Sequence, residues 1–302
     1  MANVSDDSPL DCLIVGAGPA GLLAATYLAR FRRSLRVAHD NASRASLIPR
    51  SHNYPGYAQG IAGEEILARL RAQAERYRVP IVNAHVANLR REGALFVTEM
   101  AGDVVRARNI ILATGVVDIE PALPNVADAV RRGYVRHCPI CDAYEVQGQK
   151  VAVIGRGEHA IKEALFIRHY TDDLTLLAAD EHAFDDAQRV RARAAGIAII
   201  EDPVSQVHID GARIRALRMH SGREHAFDTI YSALGAKVRS QLAVGLNAKH
   251  NKEGSLEVDA HQQTSVDGLY AAGDVVSTLN QIAVAFAHAA LAATAIHNRL
   301  RE

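Results

Sequence analysis

Two cysteines stand two residues apart in the stretch Arg136-His137-Cys138-Pro139-Ile140-Cys141-Asp142-Ala143-Tyr144-Glu145. Cysteines at this spacing can close a disulfide without large backbone movement, and the close pairing lowers a thiol pKa toward neutrality. The stretch therefore reads as a two-electron redox centre. Asp142 follows directly, a carboxylate placed to move a proton as a thiol leaves. His137 precedes the pair, an imidazole able to stabilise a thiolate or to compete as the proton donor. The other use of Cys-x-x-Cys is half of a zinc site, which needs four ligands. The remaining cysteine, Cys12, lies alone in an apolar run, with no second Cys-x-x-Cys or His-x3-His after it, so no metal is expected.

A redox pair needs an electron source, and the sequence around it supplies two candidate nucleotide sites. The buried strand Leu10-Asp11-Cys12-Leu13-Ile14-Val15 runs into Gly16-Ala17-Gly18-Pro19-Ala20-Gly21 and then into an apolar helix from Leu22 to Arg30. That is GxGxxG in its proper context. Gly16 permits the turn, Gly18 lets backbone approach a pyrophosphate, Gly21 lets helix pack on strand, and the helix N-terminus offers amide donors. Asp40 ends the next strand, at the distance expected for an acid that holds a ribose hydroxyl.

Beyond the cysteines, Val151-Ala152-Val153-Ile154 leads into Gly155-Arg156-Gly157-Glu158-His159-Ala160 and a helix to Arg168. Ala160 replaces the third glycine, which the fingerprint allows. The following strand, Leu174 to Leu177, ends in Ala178-Ala179-Asp180-Glu181. Two acids there would repel a 2′-phosphate and suit a ribose hydroxyl. Glu158 adds negative charge beside the pyrophosphate position, with Arg156 placed to offset it, and His159 either obstructs the pyrophosphate or donates to it.

Several other segments are compatible with a bound nucleotide. Asn109 to Gly115 reads as a strand closing on the small-residue turn Ala113-Thr114-Gly115, and Leu269 to Val275 ends in Gly273-Asp274. The helix Gln281 to Leu300 is nearly all small and apolar, as expected of a buried core helix whose N-terminal dipole could also stabilise a reduced ring. Within it, His288 is either a core histidine or a group near that ring. Pro121 and Pro124 mark a crossing between domains.

The chain has 302 residues, 49% hydrophobic and 23% charged, with 34 basic and 34 acidic side chains. That length favours two domains, and zero net charge favours neither nucleic acid nor an anionic membrane as partner. Three cysteines fit a reducing cytosol, so a cytoplasmic location is expected. No apolar stretch reaches the roughly 18 residues of a membrane span. No signal peptide is read either, and residues 1–9 look like a loose polar tail.

This order of motifs resembles the low-molecular-weight thioredoxin reductase group of flavoproteins, from Leu10 to Leu300. The resemblance implies an α/β fold of two doubly wound, three-layer Rossmann-like domains, one inserted in the other. An FAD domain (residues 1–118 and 243–302) would be interrupted by a pyridine-nucleotide domain (residues 119–242) carrying the redox cysteines. It implies that Gly16, Gly18, Gly21 and Asp40, with Pro19 and Ala20 in the same turn, hold the ADP part of FAD. Asn53, Thr114, Gly115, Gly273, Asp274 and Gln281 would surround the flavin or its ribityl-phosphate chain. Gly155, Gly157, Glu158 and Ala160 would line the site for NADH or NADPH. Cys141 would face the flavin, Cys138 would exchange with a disulfide substrate, and Asp142 would act as acid–base. A homodimer and a thioredoxin-like protein or small-molecule disulfide as partner are also implied.

Three departures bear on the donor and the disulfide partner and leave the flavin untouched. Asp180 and Glu181 replace an arginine-rich patch, the pair reads Cys-Pro-Ile-Cys followed by Asp142-Ala143, and Asn280-Gln281 stands where many members have Arg-Gln. Members with degenerate nucleotide sites take electrons from ferredoxin, for which Arg32-Arg33 and Arg131-Arg132 are candidate docking pairs, or run as dithiol oxidases on oxygen. A flavin redox sensor without turnover is the reading outside enzymology.

Overall fold

The computed structural model describes residues 8–40, 43–121, 126–210, 213–276 and 279–301. Pro124 and residues 1–7 of the expected tail lie outside the described residues. The chain packs as two units, Met1–Ser46 with Gly63–Val117 and Lys237–Glu302, and Leu47–Ala62 with Asp118–Ala236. The second unit is thus inserted in the first. Both are α/β, with parallel sheets at their centres.

In the first unit, Ile81–Asn83, Leu35–His39, Leu10–Val15 and Asp103–Leu112 lie side by side in parallel. The far edge of Asp103–Leu112 is shared. Leu269–Ala271 pairs in parallel with its last residues, and Leu95–Met100 pairs antiparallel with its first. The burial of this one strand shows why. Its start alternates exposed and buried, as in a half-covered hairpin, and its last four residues, Ile110 among them, are buried on both faces, as in a parallel sheet. The hairpin turn Ala101-Gly102 has φ of 54° and 88°, the primed geometry that matches strand twist.

Helix Pro19–Arg30 packs on the sheet with helix Ile282–Arg299 through Ala24, Ala25, Ala285, Ala289, Ala292 and Ala293, all buried. Small side chains let the helices approach closely, which accounts for the alanine-rich sequence as core packing. Their C-terminal ends are tied by Phe31 stacked on His297 at 4.4 Å and by Arg33 donating to the His297 carbonyl at 2.9 Å.

The sheet of the second unit is wholly parallel, in the order Ala198–Ile200, Leu174–Ala178, Val151–Gly155, Thr229–Ala233, Val135–Arg136. Its three central strands are fully buried. Helices Gly157–Ile167 and Asp186–Ala194 cover one face. The other face packs on Val130, Leu217, Met219 and Phe227, partly from an antiparallel three-stranded sheet. The segment Leu47–Ala62, grouped with the first domain in the sequence reading, packs in this unit. There Ser51 bridges Ile61, and His52 lies 3.9 Å from Glu145.

Candidate active site

The redox pair occupies a single helical turn. Val135–Arg136 forms an edge of the second sheet, and Pro139–Asp142 makes a four-residue helix just after it. Pro139 takes the first helical position, where a missing N–H costs nothing. Cys138 stands at the N-cap of the turn, and the Cys141 N–H donates to the Cys138 carbonyl at 2.9 Å. The turn itself therefore brings the sulfurs together, and Cys138 and Cys141 are joined in a disulfide with their Cα atoms 5.3 Å apart. Cys12 is buried, and burial pushes its thiol far up, so it is an inert core residue.

Asp142 is largely buried at the end of this turn. Tyr231 Oη donates to its Oδ1 at 2.7 Å, and Arg136 Nη1 lies 3.3 Å from its Oδ2. Burial pushes the carboxyl above the usual range, while Arg136 and Tyr231 pull it back and the like charge of Glu145 pushes the same way as burial. His137 is placed otherwise than as a free proton donor to the pair, because its Nε2 sits 3.0 Å from Glu120 Oε2. Neither Tyr231 nor Arg136 carries a motif signal. Only their register, Tyr231 opposite Arg136 in parallel strands, aims both at Asp142.

In the first unit, the expected glycine turn is a tight cradle. Gly16 has φ of 111°, and a Cβ there would lie 2.3 Å from the Ala113 carbonyl oxygen. A Cβ on Gly21 would lie 1.9 Å from the Gly16 carbonyl oxygen. Gly18, by contrast, faces only Ser43 Oγ at 3.4 Å. Pro19 and Ala20 open the helix, whose first turn has no acidic residue and no side-chain cap. Its amide donors are thus left to an anion, and the turn fits the pyrophosphate of a dinucleotide such as FAD.

Around that turn the structure gathers other expected residues. Gly273, with φ of 80°, stands so close that its Cβ would meet the Ala20 Cβ at 3.1 Å and the Ala285 Cβ at 3.6 Å. Asp274 lies 3.6 Å from Arg44, and Gln281 caps the helix Ile282–Arg299. Asn280 Oδ1, just before this helix, and His288 Nδ1, on it, are buried and have no hydrogen-bond partner among the described residues. Burial holds the His288 imidazole below its ordinary range. Asp40 follows strand Leu35–His39, 3.6 Å from His85 and 3.8 Å from Arg239. Arg239, absent from the sequence reading, also accepts from Thr114 Oγ1 at 2.6 Å and donates its N–H to the Gly115 carbonyl. Asn53 belongs to the second unit, where it accepts from Ser51 Oγ at 3.0 Å.

The second glycine turn has the same backbone plan with charged walls. A Cβ on Gly155 would meet the Ala160 Cβ at 2.6 Å and the Ala233 carbonyl oxygen at 2.8 Å. Gly157 has φ of 59° and nothing within 4 Å of its Cβ position, so the turn is open where a pyrophosphate would lie. Arg156 does not offset Glu158 as the sequence suggested. It pairs with Asp180 at 3.1 Å, while Arg191 reaches Glu158 at 2.7 Å. Folding brings Arg191 from the next helix, which local spacing cannot reveal. His159 turns to Glu163 at 3.1 Å, and that hydrogen bond raises its proton affinity. Arg131 and Arg132 both reach Asp128, at 3.6 and 2.9 Å, which blunts one of the two basic pairs.

Comparison with known proteins agrees with this geometry. A thioredoxin reductase of Streptomyces coelicolor is 31% identical over 87% of this chain and 85% of its own length. A bifunctional thioredoxin reductase/thioredoxin of Mycobacterium leprae is 29% identical over 94% of this chain and 64% of its own length. The crystal structure of thioredoxin reductase from Streptococcus pyogenes superposes with a TM-score of 0.90 at 25% identity, covering 98% of this chain and 99% of that one. Residues 10–289 match the family described as pyridine nucleotide-disulphide oxidoreductase. With its disulfide on one helical turn and two dinucleotide folds, this chain belongs to that family and is an FAD-dependent disulfide oxidoreductase.

Proposed function

We propose that this protein reduces the disulfide of a thioredoxin-like protein through Cys138 and Cys141. The carrying observation is the redox disulfide closed by a single turn that ends in the largely buried Asp142, which Tyr231 and Arg136 contact. The relative in which reductase and thioredoxin share a name supports the substrate class. In the reduced pair, the Cys138 thiolate attacks one sulfur of the substrate disulfide, forming a mixed disulfide and releasing a substrate thiolate. The Cys141 thiolate then attacks the Cys138 sulfur, releases the second substrate thiolate and restores the Cys138–Cys141 bond. Two electrons leave the pair, and Asp142 exchanges the accompanying proton. Bound FAD supplies the two-electron chemistry that reduces the pair again.

The donor this reading favours is NADH over NADPH. Asp180 and Glu181 stand where a 2′-phosphate would need cations, and the nearby Arg156 is already paired with Asp180. Anaerobic titration of the yellow protein with each nucleotide, following flavin absorbance, tests this. Bleaching by NADH at far lower concentration supports it, and equal or better bleaching by NADPH refutes it. Bleaching by neither, with reduction by reduced ferredoxin, would assign the donor to ferredoxin. The substrate reading is tested by turnover with thioredoxin disulfide. Cys138→Ser and Cys141→Ser should each lose at least about a hundredfold in kcat/KM. Oxygen consumption driven by dithiols, without thioredoxin reduction, would replace it with a dithiol oxidase.

A further inference from the structure

We infer that Tyr231 and Arg136 are positioning residues for Asp142, holding its carboxyl beside Cys141 in both the ionised and the protonated form. The inference rests on the reading of Cys138 and Cys141 as an exchange centre with Asp142 as its proton-moving group. Tyr231 lies in the interior strand Thr229–Ala233 and has no solvent exposure. Phenylalanine would fill the same volume, so the hydroxyl has to be accounted for separately. It donates to Asp142 Oδ1 at 2.7 Å across 89 residues of sequence.

Arg136 is the parallel-strand partner of Tyr231, so both side chains leave the same face of the sheet. Its Nη1 lies 3.3 Å from Asp142 Oδ2 and donates to the Asp142 carbonyl at 3.3 Å, and its Nε donates to the Gly133 carbonyl. The guanidinium is therefore fixed at three points. The two neighbours differ in chemistry. Guanidinium only donates, whereas a phenol hydroxyl both donates and accepts. When Asp142 is ionised, Tyr231 donates to it. When Asp142 carries its proton, the same hydroxyl turns and accepts. Asp142 thus keeps a partner in either state, and the proton can pass to a leaving thiolate as its S–S bond breaks. The charged groups facing Asp142 are Arg136 and Glu145, the latter 3.9 Å from His52, and its other titratable neighbours are Tyr231 and, in the reduced pair, the adjoining Cys141 thiol.

Holoenzyme reduced anaerobically with stoichiometric dithiothreitol and mixed with dipyridyl disulfide reports exchange by absorbance across a pH series. Tyr231→Phe removes a donor to the ionised carboxyl, so the limb set by Asp142 should move to higher pH by about one unit. Its thermal midpoint should stay near that of the parent. Arg136→Met should move the limb the same way, and Arg136→Lys should restore most of the shift. In an Asp142→Asn background, Tyr231→Phe should change the rate less than about twofold. An unmoved limb in Tyr231→Phe, or an equal change in the Asp142→Asn background, overturns the inference. Should Tyr231→Phe fail to fold, Arg136→Met with its lysine rescue decides the same point. The assay uses neither nucleotide nor thioredoxin, so it is independent of the donor and of the protein substrate. Undiminished exchange in Cys138→Ser or Cys141→Ser would instead sink the exchange-centre reading itself.

Discussion

The two glycine turns of this chain share a strand–turn–helix plan and differ in how their charges are arranged. In the first, the helix Pro19–Arg30 begins with no acidic residue and no side-chain cap, so its N-terminal field is unopposed. In the second, helix Gly157–Ile167 begins with Glu158, and the turn is flanked by the pairs Arg156–Asp180, Glu158–Arg191 and His159–Glu163. Steric fit is shared: close neighbours shut both turns at the first glycine, Gly16 and Gly155, and leave room at the Cβ positions of Gly18 and Gly157. An uncontested anion site suits a tightly held dinucleotide. We propose that the second site, its cations already paired, takes a weaker, exchangeable one.

The largest expected effect is in the first turn. Gly21→Ala would place a methyl group 1.9 Å from a carbonyl oxygen, so the backbone must move. It should cost about 1–3 kcal/mol in unfolding and most of the bound FAD, read from denaturant titration and the flavin-to-protein absorbance ratio. Ala160→Gly at the equivalent place in the other turn should cost only about 1 kcal/mol and leave FAD content unchanged. Equal losses of flavin in the two variants would erase the distinction between the turns.

Next comes nucleotide selection. Asp180→Arg with Glu181→Arg frees Arg156 and adds cations where a 2′-phosphate would lie, so the NADPH-to-NADH affinity ratio should rise at least about tenfold. Isothermal titration with each nucleotide measures it, and an unchanged ratio would place selectivity elsewhere. Glu158→Gln is smaller. Removing one carboxylate from the helix start should tighten NADH about two- to fivefold, with the gain shrinking in high salt.

His159 gives the smallest effect. Its hydrogen bond to Glu163 raises its proton affinity in the folded protein. The pair therefore stabilises the fold fully below the ordinary histidine range, and that stability is lost as pH rises through the raised value. With the imidazole half exposed, a few tenths of a kcal/mol is expected. Denaturation midpoints of His159→Asn should lack this alkaline decline, and a parallel decline in both proteins would remove the pair from the account.

Both strand–turn–helix motifs are legible in sequence because their determinants are local. Gly16, Gly18 and Gly21 stand at fixed spacing within one turn, and the apolar run before them reads as a buried strand. The Cys138–Cys141 pair is legible for the same reason, since one turn with Pro139 at its start closes it. The alanine-rich C-terminal helix is read as core packing and is found as such. What escaped was set by neighbours distant in sequence. Tyr231 reads as an ordinary strand residue until the sheet places it opposite Arg136. Arg239 carries no motif, yet it joins Asp40 to the Thr114-Gly115 turn. The segment Leu47–Ala62 follows the first fold in sequence and packs in the other unit.

By itself, then, the sequence determined the redox pair, the two dinucleotide folds and the acids Asp180 and Glu181 after the second nucleotide strand, because spacing within a turn or strand fixes each of them. Only the tertiary structure decided which charges neutralise which, and that Tyr231 and Arg136 both meet the carboxyl group of Asp142. Pairing across parallel strands depends on register, and register is set by the packing of the whole sheet rather than by any local run of residues.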